Sequence, residues 1–214
     1  MGTIFDILAK PKLGELKSRY DLIMAAAKDY SPSDRLDLLR LIKSEDQVVR
    51  GRGFEVLKNT GVRGFDLLDD AVRSASLGSH YDVEDLLDVM LNYSKKLNPD
   101  HLVAVLRFIP GESFLARIRI MHILALCKKA ALREAIQKLG VGDGRGNHNE
   151  GLEILTGDLK TDLLTREYFA TSGDVAKAYT GAALLLAAKR GIPLYVENID
   201  SLDQDFNYIQ SEFS

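Results

Sequence analysis

The 214-residue sequence predicts an all-α protein made of short helices with short connections. Apolar residues recur at the three- and four-residue spacing of amphipathic helices along most of the chain. The alternation of apolar and polar residues that marks strands is nearly absent, and residues 192–196 alone have an extended pattern. Glycines and helix-capping residues separate the periodic segments. These three observations together predict the fold class.

The helices are expected in order along the chain, at residues 3–10, 12–29, 33–43, 45–59, 62–76, 81–96, 99–109, 112–128, 129–139, 150–165 and 173–190. Side chains that accept hydrogen bonds from first-turn amides are expected at the N-termini, from Ser33, Ser44, Ser113 and either Ser172 or Asp174. Glycines 61, 78, 140 and 191 lie where a residue in the left-handed region would end a helix. The last 14 residues are interpreted either as a folded cap or as a mobile segment that binds a partner.

Two segments of the chain match each other at an offset of 67 residues. Residues 36–57, LDLLRLIKSEDQVVRGRGFEVL, align without a gap with residues 103–124, VAVLRFIPGESFLARIRIMHIL, and seven of the 22 positions are identical. Half of this offset predicts a middle copy, and Val83, Leu87 and Met90 fit its apolar register. The sequence therefore predicts three tandem helical hairpins over residues 31–139.

These segments resemble HEAT repeats. The resemblance lies in a leucine-rich first helix, a polar turn, and a second helix that opens with Val49-Arg50 or Ala116-Arg117. It implies a right-handed α-solenoid of stacked hairpins whose second helices line a concave face. We expect one α-helical domain over residues 1–214, with an N-terminal cap (1–30), the repeats (31–139), a Gly-rich loop (140–150) and a C-terminal helical cap and tail (151–214). Gly51, Gly53 and Glu84 depart from the family pattern.

Four arginines at equivalent repeat positions are the first candidate binding residues, namely Arg50, Arg52, Arg117 and Arg119. On a concave face they could bind phosphates or an acidic peptide. Alternatively they are structural, because the repeat register places Glu84 between Arg50 and Arg117 and so predicts an Arg–Glu–Arg ladder across stacked hairpins. Arg117 and Arg119 have no acidic partner at helical spacing and are the stronger binding candidates.

The loop at residues 140–151 is the most irregular stretch, and its glycines allow backbone amides to point at an anion. It matches neither a dinucleotide-binding loop, nor a phosphate-binding P-loop, nor an EF-hand. Both a flexible connection and a loop that binds a partner or an ion remain open interpretations. In the second case Asp143, Arg145, Asn147, His148 and Glu150 are the groups available.

Composition and side-chain spacing argue against several classes of function. A single cysteine, Cys127, excludes a disulfide framework and any site with several thiolates. The four histidines are scattered, so we expect neither a metal site nor a cofactor. A formal charge of -3 argues against a protein devoted to coating nucleic acid. No catalytic residue is predicted, and an enzyme is the least supported class.

We therefore expect a non-catalytic scaffold that binds a protein or peptide on a concave face. The alternative is a nucleic-acid-binding repeat protein that contacts phosphates through the four arginines. The small residues of the helix at 173–190 are interpreted as core packing or as a homo-oligomer interface. The start of the chain lacks the pattern of a secretory leader, and the longest uncharged run of note, 178–188, is too short to span a membrane, so a cytoplasmic location is expected.

Overall fold

The computed structural model describes residues 3–13, 16–76, 80–108, 113–139, 166, 168–169, 174–194 and 203–213. Within them the regular structure is entirely helical, which confirms the predicted all-α class. The α-helices are α1 (Ile4–Leu8), α2 (Leu16–Asp29), α3 (Arg35–Ile42), α4 (Gln47–Asn59), α5 (Leu68–Ser76), α6 (His80–Asn92), α7 (Pro99–Arg107), α8 (Phe114–Leu126), α9 (Lys129–Leu139), α10 (Asp174–Lys189) and α11 (Gln204–Ser211). Shorter 3-10 segments cover Pro32–Asp34, Gly61–Leu67 and Ser94–Lys96. The predicted loop at 140–150 and helix at 150–165 lie outside the described residues.

The helix ends follow capping chemistry, with some positions moved from those expected. Ser113 caps α8 as predicted, and its hydroxyl accepts from the Ala116 amide at 3.2 Å. Ser44 is not the cap of α4, because its hydroxyl accepts from the amide of Asp46. Asp46 is the cap instead, since its carboxylate accepts from both Val48 and Val49 amides.

Two further expectations about helix ends fall within the described residues. Gly61 and Gly191 have φ of +62° and +68°, which confirms the left-handed positions predicted there. Ser33 is not the cap of α3; Asp34 holds that position without a side-chain bond to a first-turn amide, and Ser31, which precedes the 3-10 segment, donates from its backbone and hydroxyl to the Asp34 carboxylate. The predictions at Ser113, Gly61 and Gly191 are therefore confirmed, and those at Ser33 and Ser44 are wrong.

The chain divides into two compact units, residues 1–93 and 94–214. In the first unit, α1 packs on α2, α3 on α4, and α5 on α6, so that each hairpin is a pair of neighbouring helices. The hairpins contact one another through matching helices: α3 touches α1 and α5, while α4 touches α2 and α6. The first unit therefore has a layer of first helices (α1, α3, α5) and a layer of second helices (α2, α4, α6).

Gly53 allows the two helices of the second hairpin to approach closely. A Cβ atom at this position would lie 2.8 Å from the Ile42 nitrogen and 3.0 Å from the Leu41 carbonyl carbon, both in the backbone of α3. A backbone cannot move aside as a side chain can, so a larger residue would force α3 and α4 apart. The departure from the repeat pattern at Gly53 thus reflects local packing.

Two arginines bind the C-terminal carbonyl groups of helices in the preceding hairpin. Arg52, which is 6% exposed, donates from its guanidinium to the carbonyls at the end of α1, those of Leu8, Lys10 and Pro11. Arg63 donates in the same way at the end of α2, to Ala27, Lys28 and Tyr30. The last carbonyls of a helix lack partners within it and carry partial negative charge, so both contacts are favourable.

The second unit repeats the layered packing with a different ending. Here α7 packs on α8 and on α9, and α8 packs on α10, so α8 and α10 correspond to second helices. The small residues of α10 are buried within this unit, including Ala178, Ala182, Ala183 and Ala187. The terminal helix α11 packs against both α8 and α10. The tail is therefore a docked helix, which answers the question that the sequence left open.

Candidate functional site

Arg50 and Arg117 are identical residues in the two segments that match at an offset of 67, and each forms a two-bond pair with an aspartate. Arg50 donates from Nε and Nη2 to the two carboxylate oxygens of Asp82 on α6, both at 3.0 Å. Arg117 donates from the same two nitrogens to Asp205 on α11, at 2.7 and 3.0 Å. Paired geometry of this kind is the strongest common form of Arg–carboxylate contact. In each pair the hydrogen bonds to the aspartate raise the pKa of the arginine above its usual value.

The partner of Arg50 is Asp82 and not Glu84, the residue that the repeat register predicted. Equivalent residues on stacked helices point in the same direction, so the residue that faces Arg50 must come from the opposite side of α6. Asp82 and Glu84 are two positions apart, about 200° around a helix, and Asp82 lies on the side toward α4. Asp82 is buried, and Arg50 also donates to the carbonyls of Ser44 and Glu45.

The other predicted site residues lie in different surroundings or outside the described residues. Arg52 is buried against the end of α1, as described above. Arg119 lies partly buried on α8. Asp143, Arg145 and His148 lie outside the described residues. Arg117 lies where α8 and α10 meet the terminal helix α11.

We define the α8–α10 surface by the residues that hold α11 in place: Phe114, Arg117, Met121 and His122 of α8, with Lys177 and Gly181 of α10. Ile209 and Phe206 are the apolar anchors of α11, and both are fully buried. A Cβ at Gly181 would lie 3.2 Å from Ile209 Cδ1 and 2.7 Å from Met121 Sδ. The absence of a side chain at Gly181 therefore makes room for the Ile209 anchor.

Aromatic rings surround the Phe206 anchor. The rings of Phe169 and Tyr168 lie with centroids 4.7 and 5.5 Å from that of Phe206. Such distances are typical of favourable edge-to-face and tilted ring contacts. Phe206 is thus held on one side by a small aromatic cluster, whose members are far from it in the sequence.

Two cationic side chains of the α8–α10 surface, Arg117 and Lys177, pair with aspartates at the start of α11. Asp203 caps the helix by accepting from the amides of Asp205 and Phe206, and it also pairs with Lys177 and accepts from the Tyr168 hydroxyl. Burial acts to raise the pKa of Asp203, but the hydrogen bond from Lys177 and that from the Phe206 amide outweigh it, and its pKa lies below the usual value. With Asp205 on Arg117, both aspartates at the start of α11 are paired with cationic side chains of the α8–α10 surface.

His122 and Tyr208 form the far side of the contact. The His122 Nε2 atom and the Tyr208 hydroxyl oxygen are 3.0 Å apart, and the Tyr208 ring packs edge-on against those of His122 and Phe114. Burial lowers the pKa of His122, and the positive charge of Lys189 lowers it further. The imidazole is therefore neutral at physiological pH and suited to a hydrogen bond with the phenol.

The described residues hold no arrangement suited to metal or thiolate chemistry. Among them no group of three or more His, Cys, Asp or Glu side chains is placed to bind a metal ion. Cys127 is buried, its thiol donates to the Leu124 carbonyl, and burial raises its pKa to about 11. Such a thiol stays protonated at neutral pH and is a poor nucleophile. None of the described helices is long and apolar enough to span a bilayer.

Comparisons with protein-family models, with curated proteins and with solved structures give no match. The candidate site is therefore identified from its geometry alone. Sequence reasoning found Arg117 but missed its partner Asp205, as well as Lys177 and Asp203. One signal was present: Asp203 followed by Phe206 and Ile209 has the form of a capping residue and an apolar face three residues apart.

Proposed function

We propose that this chain is a non-catalytic protein-binding scaffold, built as a right-handed solenoid of HEAT-like hairpins. The observation that carries the proposal is α11: an amphipathic helix that packs across two second helices, with its apolar side chains buried and its aspartates paired. Docking of a short helix into an apolar surface flanked by charges is a common mode of peptide recognition. We infer that the layer of second helices is used in the same way for other proteins.

The pattern of packing supports the solenoid part of this proposal. Second helices contact second helices in each unit, and first helices contact first helices, as stacked hairpins require. The arginines that mark the repeat also serve packing between neighbouring elements, because Arg50 joins α4 to α6 and Arg52 joins α4 to the end of α1. We further propose a cytosolic location, consistent with a sequence that has one cysteine and therefore no disulfide framework.

Exposed apolar residues recur at an equivalent position of two second helices. Val48 near the start of α4 is 53% exposed and Leu115 near the start of α8 is 55% exposed, and the two are 67 residues apart. Single exposed apolar residues are common, but recurrence at one repeat position favours a shared use in binding. Exposed Leu36, by contrast, lies on the first helix α3.

A displayed library of helical peptides, panned against the full chain, tests this function. We expect the selected peptides to bind the Leu115→Ser or Val48→Ser variant about tenfold more weakly, and to bind the matched Leu36→Ser variant as they bind the unmodified chain. Equal binding to all three variants, or no selectable peptide, would overturn the proposal. A labelled DNA duplex titrated at low salt gives the competing outcome, since phosphate binding weakens steeply with salt.

A further inference from the structure

The helix α11 packs against α8 and α10 through buried apolar side chains and ion pairs, as a bound helical peptide does. The helix has eight residues, which is too short to be stable in water by itself, so its helical state depends on docking. It is separated from α8 by 77 residues in sequence. Its inner face is formed by Asp205, Phe206 and Ile209, while Gln204 and Gln210 on the outer face are exposed.

We propose that the α8–α10 surface is an exchangeable docking site for an acidic amphipathic helix, that α11 is its occupant within the chain, and that a partner protein displaces α11 with a helix of the same chemistry. The inference rests on the proposed function and adds to it the chemical class of the partner. It also gives the C-terminal helix a role as an internal competitor.

The residues of the surface specify the partner. Arg117 presents two donors in a fixed fork, which selects a carboxylate in the first turn of the partner helix. Lys177 lies beside a second carboxylate at the capping position, two residues earlier. A basic residue at either position would face a like charge, Arg117 or Lys177. The partner helix is therefore negatively charged at its N-terminus, which also suits the helix dipole.

The apolar part of the surface adds a spacing requirement. Phe206 and Ile209 are three positions apart, so both side chains lie on one face of α11. Gly181 leaves room for a branched aliphatic side chain at the second of these positions. The pattern expected in the partner is an aspartate, a polar residue, an aspartate, an aromatic residue, one variable residue, a tyrosine and an aliphatic residue, which is the order of residues 203–209.

Occupation by α11 makes the partner compete with a tethered helix. A segment of the same chain has an effective concentration of the order of millimolar, so a free helix of equal intrinsic affinity binds the unmodified chain weakly. Weakening α11 should raise the apparent affinity for the free helix, because a larger fraction of chains then has an open site.

The test uses the full chain and a fluorescein-labelled peptide with the sequence of residues 203–213. A Phe206→Ala/Ile209→Ala double variant removes the two anchors of α11 and leaves the α8–α10 surface intact. We expect this variant to bind the peptide at least about tenfold more tightly than the unmodified chain does. Adding Arg117→Ala, or using a peptide with Asp205→Lys, should remove that gain.

Equal affinity of the peptide for the unmodified chain and the double variant would overturn the proposal, as would binding that ignores both charge changes. Far-UV circular dichroism checks that the variants keep their helices. Should the double variant unfold, the milder Asp205→Asn variant decides, with an expected gain of about threefold. If library peptides bind near Val48 and Leu115 while the 203–213 peptide binds no variant, the scaffold function stands and this inference fails.

Discussion

The two arginine–aspartate pairs use the same atoms but connect different kinds of element. Arg50 joins consecutive second helices of the first unit, and its side chain and that of Asp82 are 15% and 1% exposed. Arg117 joins α8 to a terminal helix, and the corresponding values are 35% and 9%. An ion pair loses strength as water reaches it, so the first pair is suited to permanent bracing and the second to reversible contact.

The packing around glycines shows the same contrast between the units. A Cβ at Gly53 would meet the backbone of α3, whereas a Cβ at Gly181 would meet the ends of the Met121 and Ile209 side chains. Methionine side chains adapt to their surroundings at little cost, while two helix backbones cannot. The comparison indicates that closely similar hairpin architecture supports a rigid contact in one unit and an adaptable one in the other.

The largest expected effect comes from removing the aspartate of each arginine–aspartate pair, in two separate variants. Asp82→Ala leaves Arg50 without its buried partner and should lower the free energy of unfolding by about 3 kcal/mol. Asp205→Ala should cost about 1 kcal/mol, because Arg117 can reach water when α11 separates. Urea unfolding of both variants measures the difference. Equal losses would contradict the division into permanent and reversible pairs.

Alanine substitutions at Gly53 and Gly181 compare the tolerance of the two units for an added methyl group. Gly53→Ala should destabilise the protein by about 2 kcal/mol, since it overpacks the α3–α4 contact. Gly181→Ala should cost about 1 kcal/mol and loosen α11. Gly51→Ala is the matched control on α4, because its Cβ would meet the Asp85 carboxylate at 3.3 Å and alanine favours the helix. A Gly51→Ala variant as unstable as Gly53→Ala would show that helix position alone explains the loss.

Asp85 makes the stability of the first unit depend on pH. Burial, together with the negative charges of Glu55, Asp88 and Asp82, raises the pKa of Asp85 from 3.8 to about 6. The folded state thus holds the proton more tightly than the unfolded state, and stability from this group falls as the pH rises from about 4 to about 6. Asp85→Asn should therefore stabilise the protein by about 1–2 kcal/mol at pH 7.5.

Thermal unfolding of Asp85→Asn and of the unmodified chain, at pH 4 and at pH 7.5, checks this expectation. The two midpoints should nearly coincide at pH 4 and separate at pH 7.5. A constant difference at both pH values would mean that the amide acts through hydrogen bonding and not through the charge.

The smallest expected effect concerns His122 in the second unit. Its pKa lies below 6.5 because burial disfavours the charged form, and Lys189 adds to this while Glu212 opposes it. Stability from this group is present above the unfolded pKa and is lost as the pH falls through the folded one. Hydrogen exchange at the Phe206–Ile209 amides should be several-fold faster at pH 5.5 than at pH 7.5, after correction for intrinsic rates. A His122→Gln variant should lack this difference; the same ratio in the variant would place the proton elsewhere.

The fold class and many helix positions could be predicted because they depend on local signals, namely apolar periodicity and capping residues. Gly61 and Gly191 were found in this way, and so was the cap at Ser113. The tertiary partners of the arginines could not be predicted from such local signals. Asp205 lies 88 residues from Arg117 in the sequence. The repeat register predicted Glu84 as the partner of Arg50 instead of Asp82, because aligned repeats identify equivalent residues and not residues that face each other.

Arg52 and Arg63 make contacts of the first hairpin depend on residues that are synthesised later. The carbonyl groups at the end of α1 receive donors from a residue more than 40 positions later, and those at the end of α2 from a residue more than 30 positions later. A nascent chain that has emerged only as far as α2 therefore has both helix ends unsatisfied. We expect the first hairpin to reach its final structure on the ribosome only once Arg52 and Arg63 have emerged.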